Sequence, residues 1–322
     1  MELNEFLAEW HNDNPRILVH TSGSTGKPKP LMVEKRRMLN SSRITCDFLG
    51  LKPGDTALLC MPLDYIAGKM MVVRSLQRDL RLTSVRPSSH PLADETLPSF
   101  TFAAMVPMQV YNTLKVPCER ERLMHIRHLI IGGGAISDEL AQMIKTLPNA
   151  VWSTYGMTET LSHIALRRLN GPDASLWYTP FDGVGISLNA DGCLVIDAPE
   201  VCAEPLATND IAQLRTDDRT GKTLFRIKGR KDNVVCSGGI KIQIEEVEET
   251  LRPHLSAPFM IVKKQDEMLG EKAILLTESA DLTHIEEICR NTLPKYWVPR
   301  EFLHIDHLPL TETGKPKRSG AF

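Results

Sequence analysis

Short apolar runs alternate with stretches of helical period through the first half of this 322-residue chain, and the alternation constrains the fold more than any other feature. Runs at 17–19, 57–60, 100–106, 129–131 and 150–152 are bounded by turn residues. Between them lie segments such as 35–49 and 136–147, where apolar side chains recur at helical spacing. Strands alternating with helices predict an α/β fold, a mostly parallel sheet layered by helices. Residues 1–14 predict a short opening helix with Leu3, Phe6, Leu7 and Trp10 on one side, and 17–19 predict a short buried strand.

After about residue 176 the texture changes. Short strands at 185–189, 193–198, 211–215 and 223–227, separated by glycine turns, predict a smaller β-rich unit. From Asp232 a hairpin, a helix near 245–251, strands at 259–262 and 273–277, a helix near 282–292 and a strand near 302–305 follow. That tail of about 90 residues is long enough to bury a modest core. The expected division is therefore a large N-terminal lobe, 1–231, and a small α+β C-terminal lobe, 232–322.

Composition removes several function classes. Lysine plus arginine (38) nearly balances aspartate plus glutamate (40), so no positive field points to nucleic acid or an anionic membrane. The longest apolar stretch, 97–114, is broken by Pro98, Pro107, Gln109 and Asn112, which argues against a membrane span. The opening Met1-Glu2-Leu3-Asn4-Glu5 is acidic, unlike the basic start of a secretory signal. Seven scattered cysteines without a C-x-x-C pair suit a reducing, cytoplasmic compartment and supply no structural zinc site.

The first chemical motif is Thr21-Ser22-Gly23-Ser24-Thr25-Gly26-Lys27-Pro28-Lys29, directly after an apolar run. Small residues let backbone N–H groups approach a polyphosphate, and the lysines oppose its charge. Thr21 stands where a Walker A loop needs glycine, so a P-loop kinase or ATPase is excluded. Further along come Gly132-Gly133-Gly134-Ala135, Tyr155-Gly156-Met157-Thr158-Glu159-Thr160, Thr208-Asn209-Asp210, Gly229-Arg230-Lys231-Asp232 with Ser237-Gly238-Gly239, and Leu310-Thr311-Glu312-Thr313-Gly314-Lys315.

In this order the motifs, which span residues 21–315, resemble those of the adenylate-forming superfamily of acyl-CoA synthetases, luciferases and peptide-synthetase adenylation domains. The resemblance implies activation of a carboxylic acid as its acyl-adenylate, with ATP, Mg²⁺ and coenzyme A as cofactors and a homodimer left open. It implies ATP contacts from Thr21, Ser22, Gly23, Ser24, Thr25, Gly26, Lys29, Gly133, Gly134, Ala135, Tyr155, Gly156, Met157, Asp210 and Arg230. Glu159 would bind Mg²⁺, Thr158 would contact the phosphates, and Lys315 would bridge the acid and the α-phosphate. Asp232 would be the hinge of a rotating C-terminal lobe, and Gly238 with Gly239 would approach CoA. Read alone, Tyr155 is sooner a core aromatic, Asp210 a turn residue and Glu159 a helix-start carboxylate, and Gly238-Gly239 can be a hairpin turn as well.

Pro62-Leu63-Asp64-Tyr65-Ile66-Ala67-Gly68 with Arg74 resembles the acyl-pocket segment of o-succinylbenzoate–CoA ligases of menaquinone synthesis. Tyr65, Arg74, Ser162 and His163 are the candidate acid-binding residues, and Arg74, Lys69 or His163 could supply a cation for a second carboxylate. Arg74 also reads as a solvated helix charge. Pro30, Tyr65 and Asn209 depart from the family pattern of Gly, His and Gly at these places. The phosphate loop begins at residue 21 and the chain ends seven residues after Lys315, so the expectation is a compact enzyme without the family's N-terminal subdomain. The alternatives are another acid (aryl, short-chain or amino acid), a carrier protein as acceptor, or a non-catalytic nucleotide-binding remnant.

Overall fold

A computed structural model describes residues 1–20, 30–134, 136–310 and 317–318. The chain divides into two compact units. The first comprises Met1–Ile186, Ile196–Leu206 and Arg215–Phe225, and the second Ser187–Val195, Ala207–Leu214 and Arg226–Phe322.

In the first unit, α1 (Leu3–His11) buries Phe6 and ends in the polar Asn12-Asp13-Asn14 segment. Strands β1 (Arg16–His20) and β2 (Pro30–Glu34) pair antiparallel as a separate two-stranded sheet. The expected buried strand is thus half exposed: Ile17 and Val19 point into the core, while Leu18 faces out opposite Met32. The side-chain period of two accounts for this. Helix α2 (Lys35–Leu49) stops, as expected, at Gly50, whose φ of 64° suits a left-handed cap.

The next elements are β3 (Thr56–Leu59), α3 (Ile66–Arg78), β4 (Arg81–Ser84), β5 (Phe102–Met105), α4 (Pro107–Lys115) and α5 (Pro117–Met124). They are followed by β6 (His128–Ile131), α6 (Asp138–Lys145), β7 (Ala150–Gly156), β8 (His163–Arg168) and β9 (Thr179–Pro180). Seven of these strands form one sheet in the order β4-β3-β5-β6-β7-β8-β9. Pairing is parallel from β4 to β7 and antiparallel for β8 and β9, so the α/β, mostly parallel expectation holds. Strand β5 is buried throughout, the pattern of a sheet covered on both faces.

Strands β10 (Gly185–Leu188), β11 (Cys193–Asp197), β12 (Leu206–Thr216) and β13 (Thr223–Arg230) form a four-stranded sheet in that order. The chain continues through β14 (Val234–Ser237), β15 (Ile240–Gln243), α7 (Ile244–Leu251), β16 (Phe259–Asp266), β17 (Gly270–Thr277), α8 (Leu282–Thr292) and β18 (Glu301–His304). The sheet order here is β15-β14-β17-β16, with β18 added parallel to β17. Alternation along β16 and β17 splits the second unit's core. Ile261 and Leu275 pack with Val247 and Ile285, while Met260 and Ile274 pack with Leu303 on the other face. Arg318 is fastened to this unit by a two-pronged pair with Glu248, at 2.7 and 2.8 Å, and the Ile261 N–H donates to the same carboxylate.

All seven cysteines are free; Cys118 and Cys236 are exposed and the other five buried. No helix among the described residues is long and apolar enough to cross a membrane.

Candidate functional site

In the first unit the site candidates gather at the carboxyl ends of parallel strands, where open α/β sheets leave a crevice for ligands. Gly133 and Gly134 follow β6, and Gly133 has a φ of 81°, which a side chain rarely tolerates. Tyr155 and Gly156 end β7, and Thr158–Thr160 form a single 3-10 turn beyond it. Gly156 is needed for packing as well. A Cβ there would collide with the Ser162 carbonyl and His163 Cα, because β8 returns directly against it.

The turn between them is knotted by Thr160, which is fully buried. Its hydroxyl accepts from the Met157 N–H at 3.0 Å and donates to the Ser162 carbonyl at 2.7 Å. Leu161 follows at φ 65° and ψ −35°, a positive-φ conformation unusual for leucine and a local cost of about 1–3 kcal/mol. Nothing in the sequence marks that strain. Thr160 lies within the motif but is not among the sequence candidates; its place three residues after Met157 is the available clue. The result of the turn is that Thr158 is buried while the Glu159 side chain faces solvent, without an ion pair among the described residues.

The Tyr155 ring meets Phe225 edge-on at 5.0 Å and Tyr178 at 5.8 Å, and Tyr178 stacks on Phe225 at 5.3 Å. Phe225 and Tyr178, joined by backbone hydrogen bonds, fix the wall against which Tyr155 stands. The sequence reading missed this wall because Phe225 is remote along the chain.

Among the acid-binding candidates, Tyr65 caps the start of α3 and bridges to His20, the last residue before 21–29. Arg74 lies on α3 with 2% of its surface exposed, so the solvated-charge reading is overturned. Its Nη2 donates to Ser162 Oγ at 2.6 Å, its Nη1 reaches only the Met71 sulfur at 4.0 Å, and its Nε is buried without a partner. No carboxylate lies within ion-pair distance of it among the described residues. Burial pulls its pKa to about 10, which still leaves a cation at neutral pH.

The other two candidate cations are corrected. Lys69 is committed: its Nζ donates to the Leu18 carbonyl at 2.8 Å and lies 3.9 Å from Glu9, and burial lowers its pKa. His163 carries no charge near neutral pH, because burial and then the Arg74 charge hold its pKa well below the usual histidine value. Its ring bonds Ser162 Oγ through Nδ1 and Thr45 Oγ1 through Nε2, both at 3.1 Å.

In the second unit, Asp210 lies on β12, where Arg230 reaches it at 3.2 Å and also pairs with Asp232 at 2.7 Å. Asn209 donates to Asp232 as well, and Lys231 pairs with Asp191 at 2.7 Å. Gly238 and Gly239, at φ 55° and 83°, form the two-residue turn joining β14 to β15. Positive φ at both central residues is what such a hairpin needs. Thr21, Ser22, Gly23, Ser24, Thr25, Gly26, Lys29, Ala135 and Lys315 lie outside the described residues. Among the described residues no three His, Cys, Asp or Glu side chains gather as a metal cage.

Comparison with known proteins agrees with this geometry. The family model described as AMP-binding enzyme matches residues 4–203. A 2-succinylbenzoate–CoA ligase of Bacillus mycoides (strain KBAB4) is 25% identical over 334 residues, covering 95% of this chain and 69% of that protein. An acyl-CoA synthetase (AMP-forming)/AMP-acid ligase II-like protein from Dyadobacter fermentans DSM 18053 is 33% identical at a TM-score of 0.67, covering 98% of this chain and 91% of that one. The fold is also that of o-succinylbenzoate–CoA synthetase from Bacillus subtilis in complex with its acyl-adenylate intermediate, with a TM-score of 0.75 at 22% identity and coverage of 94% and 68%. With the family model spanning well over half of its length, the chain belongs to the AMP-binding, adenylate-forming enzymes.

Proposed function

We propose that the chain is an ATP-dependent acid–CoA ligase working through an acyl-adenylate, with o-succinylbenzoate as its acid. The observation that carries the choice of acid is Arg74. A buried guanidinium without a carboxylate is costly, by several kcal/mol in the absence of a counter-ion. It becomes favourable if the ligand brings the missing anion, as an acid with a second carboxylate does. Ser162, hydrogen-bonded to Arg74, and Tyr65, at the start of the same helix, are the other candidate contacts of the acid. The 2-succinylbenzoate–CoA ligase relative supports the same acid.

In the first half-reaction a carboxylate oxygen of the acid attacks the α-phosphorus of ATP, and pyrophosphate leaves. Thr21, Ser22, Gly23, Ser24, Thr25, Gly26 and Lys29 hold the phosphates, and Lys315 steadies the two anions as they meet. Tyr155 stacks on the adenine, Gly133, Gly134 and Ala135 line its edge, and Asp210 accepts from the ribose hydroxyls with Arg230 beside it. Glu159 would hold Mg²⁺, with Thr158 beside it. One exposed carboxylate, with no protein cage among the described residues, fits a cation bound chiefly by phosphates and water, whose chemistry here would be to neutralise charge. In the second half-reaction the CoA thiolate attacks the acyl carbon and AMP leaves. The lobe 232–322 turns about Asp232 between the two steps, bringing Gly238 and Gly239 to the thiol.

The test is pyrophosphate release from ATP across aromatic, short-chain, amino and succinylated acids. The expected outcome is release with o-succinylbenzoate, followed by its CoA thioester on adding CoA. Esterifying the acid's second carboxylate should raise KM at least tenfold. No release with any acid would overturn the catalytic reading. Transfer only to a phosphopantetheinylated carrier protein would overturn CoA as the acceptor.

A further inference from the structure

We infer that Thr45 and His163 are positioning residues that lock the Arg74 guanidinium through Ser162, by a hydrogen-bond relay running in one direction only. The inference rests on the reading of Arg74 as the acid's counter-ion and extends it to Thr45 and His163, which are linked to it through Ser162.

The direction follows from counting protons. Arginine can only donate, so Ser162 Oγ must accept from Arg74 Nη2 at 2.6 Å. The Ser162 hydroxyl proton is then available to His163 Nδ1 at 3.1 Å, and Nδ1 is the unprotonated nitrogen of the neutral ring because Thr45, whose own proton goes to the Ser41 carbonyl, can only accept from Nε2. The ring proton therefore sits on Nε2 and points at Thr45 Oγ1, 3.1 Å away. Thr45 in turn donates its proton to the Ser41 carbonyl at 3.1 Å, one turn earlier on α2. Each member has one donor and one acceptor to match, and the chain ends on a backbone carbonyl that cannot reverse it. Thr45 is fully buried and Arg74, Ser41 and His163 nearly so, while Ser162 between them is half-buried.

The consequence is specific. With Ser162's proton committed to His163, Ser162 acts as an acceptor that orients Arg74 and leaves the unpartnered Nε and the weakly engaged Nη1 for a carboxylate. A threonine hydroxyl on one helix thereby sets the aim of an arginine on another, without contact between the two side chains. Removing the hydroxyl strands the Nε2–H. A buried donor without a partner is unfavourable, so the ring proton shifts to Nδ1 and Ser162 faces a second donor.

The test combines kinetics with a spectroscopic readout. In the whole enzyme, Thr45→Val should raise KM for o-succinylbenzoate about five- to tenfold, with kcat and the KM for ATP unchanged. The KM for the ester of its second carboxylate should stay within twofold, and Thr45→Ser should restore the wild-type value. Nitrogen-15 NMR of histidine-labelled protein should show His163 neutral with its proton on Nε2 at pH 7, and partly on Nδ1 in Thr45→Val. An Nδ1–H or doubly protonated ring in the wild type would overturn the relay. Equal KM increases for acid and ester, or none for the acid, would overturn the positioning role. A wild-type enzyme that does not distinguish acid from ester would overturn the counter-ion reading of Arg74, and the ring tautomer, read without substrate, would still decide the relay.

Discussion

Arg74 and His163 share Ser162 as a hydrogen-bond partner and respond to burial in different ways. The guanidinium keeps its charge because its pKa starts so high, whereas the imidazole loses its charge. His128 is shifted in the same direction, first by burial and then by Arg127 and Arg168. Both histidines take up protons less readily in the fold than in the unfolded chain, where protonation occurs near the ordinary pKa of about 6.5. Their contribution to stability is therefore complete above about pH 7 and is lost as the pH falls through and below 6.5. A melting temperature that drops between pH 7.5 and 5.5, with a shallower drop in His163→Gln, is the expected result of thermal scans across that range. Arg74 could be picked from the sequence as a candidate because it follows the Pro62–Gly68 segment. Its isolation could not, since the absence of a nearby carboxylate is a property of neighbours brought together by folding.

At the scale of elements, legibility followed amphipathicity. Helices α2 and α8 begin and end where the periodicity predicted, because each has a wet and a dry face. Helix α3 was legible only at Arg74, read as a charge on a helix, and its bounds were not. Eight consecutive residues, Gly68 to Ser75, are buried, including Lys69 and Arg74, so its sequence has no polar stripe to count. The β7–turn–β8 segment was legible as a motif, but its reason was only half seen. Gly156, expected as a nucleotide-side glycine, is also the point where β8 crosses closest. Gly156→Ala should therefore cost about 1–3 kcal/mol of stability by overpacking, measurable in a urea titration. Because the segment pushed away carries Ser162 and His163, it should also raise KM for the acid.

For the whole molecule, the α/β class was legible from the alternation of runs, since layers are built from consecutive elements. The membership of the two units was harder to read. Ser187–Val195 and Ala207–Leu214 belong with Arg226–Phe322, and such interleaving arises because strand neighbours need not be sequence neighbours. If the two half-reactions use different arrangements of the lobes, a residue serving one should be silent in the other. Lys315→Ala is accordingly expected to abolish pyrophosphate release, yet to leave thioester formation from supplied acyl-adenylate within a few-fold of wild type. Equal loss in both would contradict a turning lobe.

Of the two exposed thiols, Cys118 belongs to the first unit and Cys236 to the second. Nature has thus left one chemical handle on each half of the molecule and tucked the other five sulfurs out of reach of a maleimide. A donor and an acceptor dye can be attached to the unaltered chain, making it its own molecular ruler for following turnover in real time.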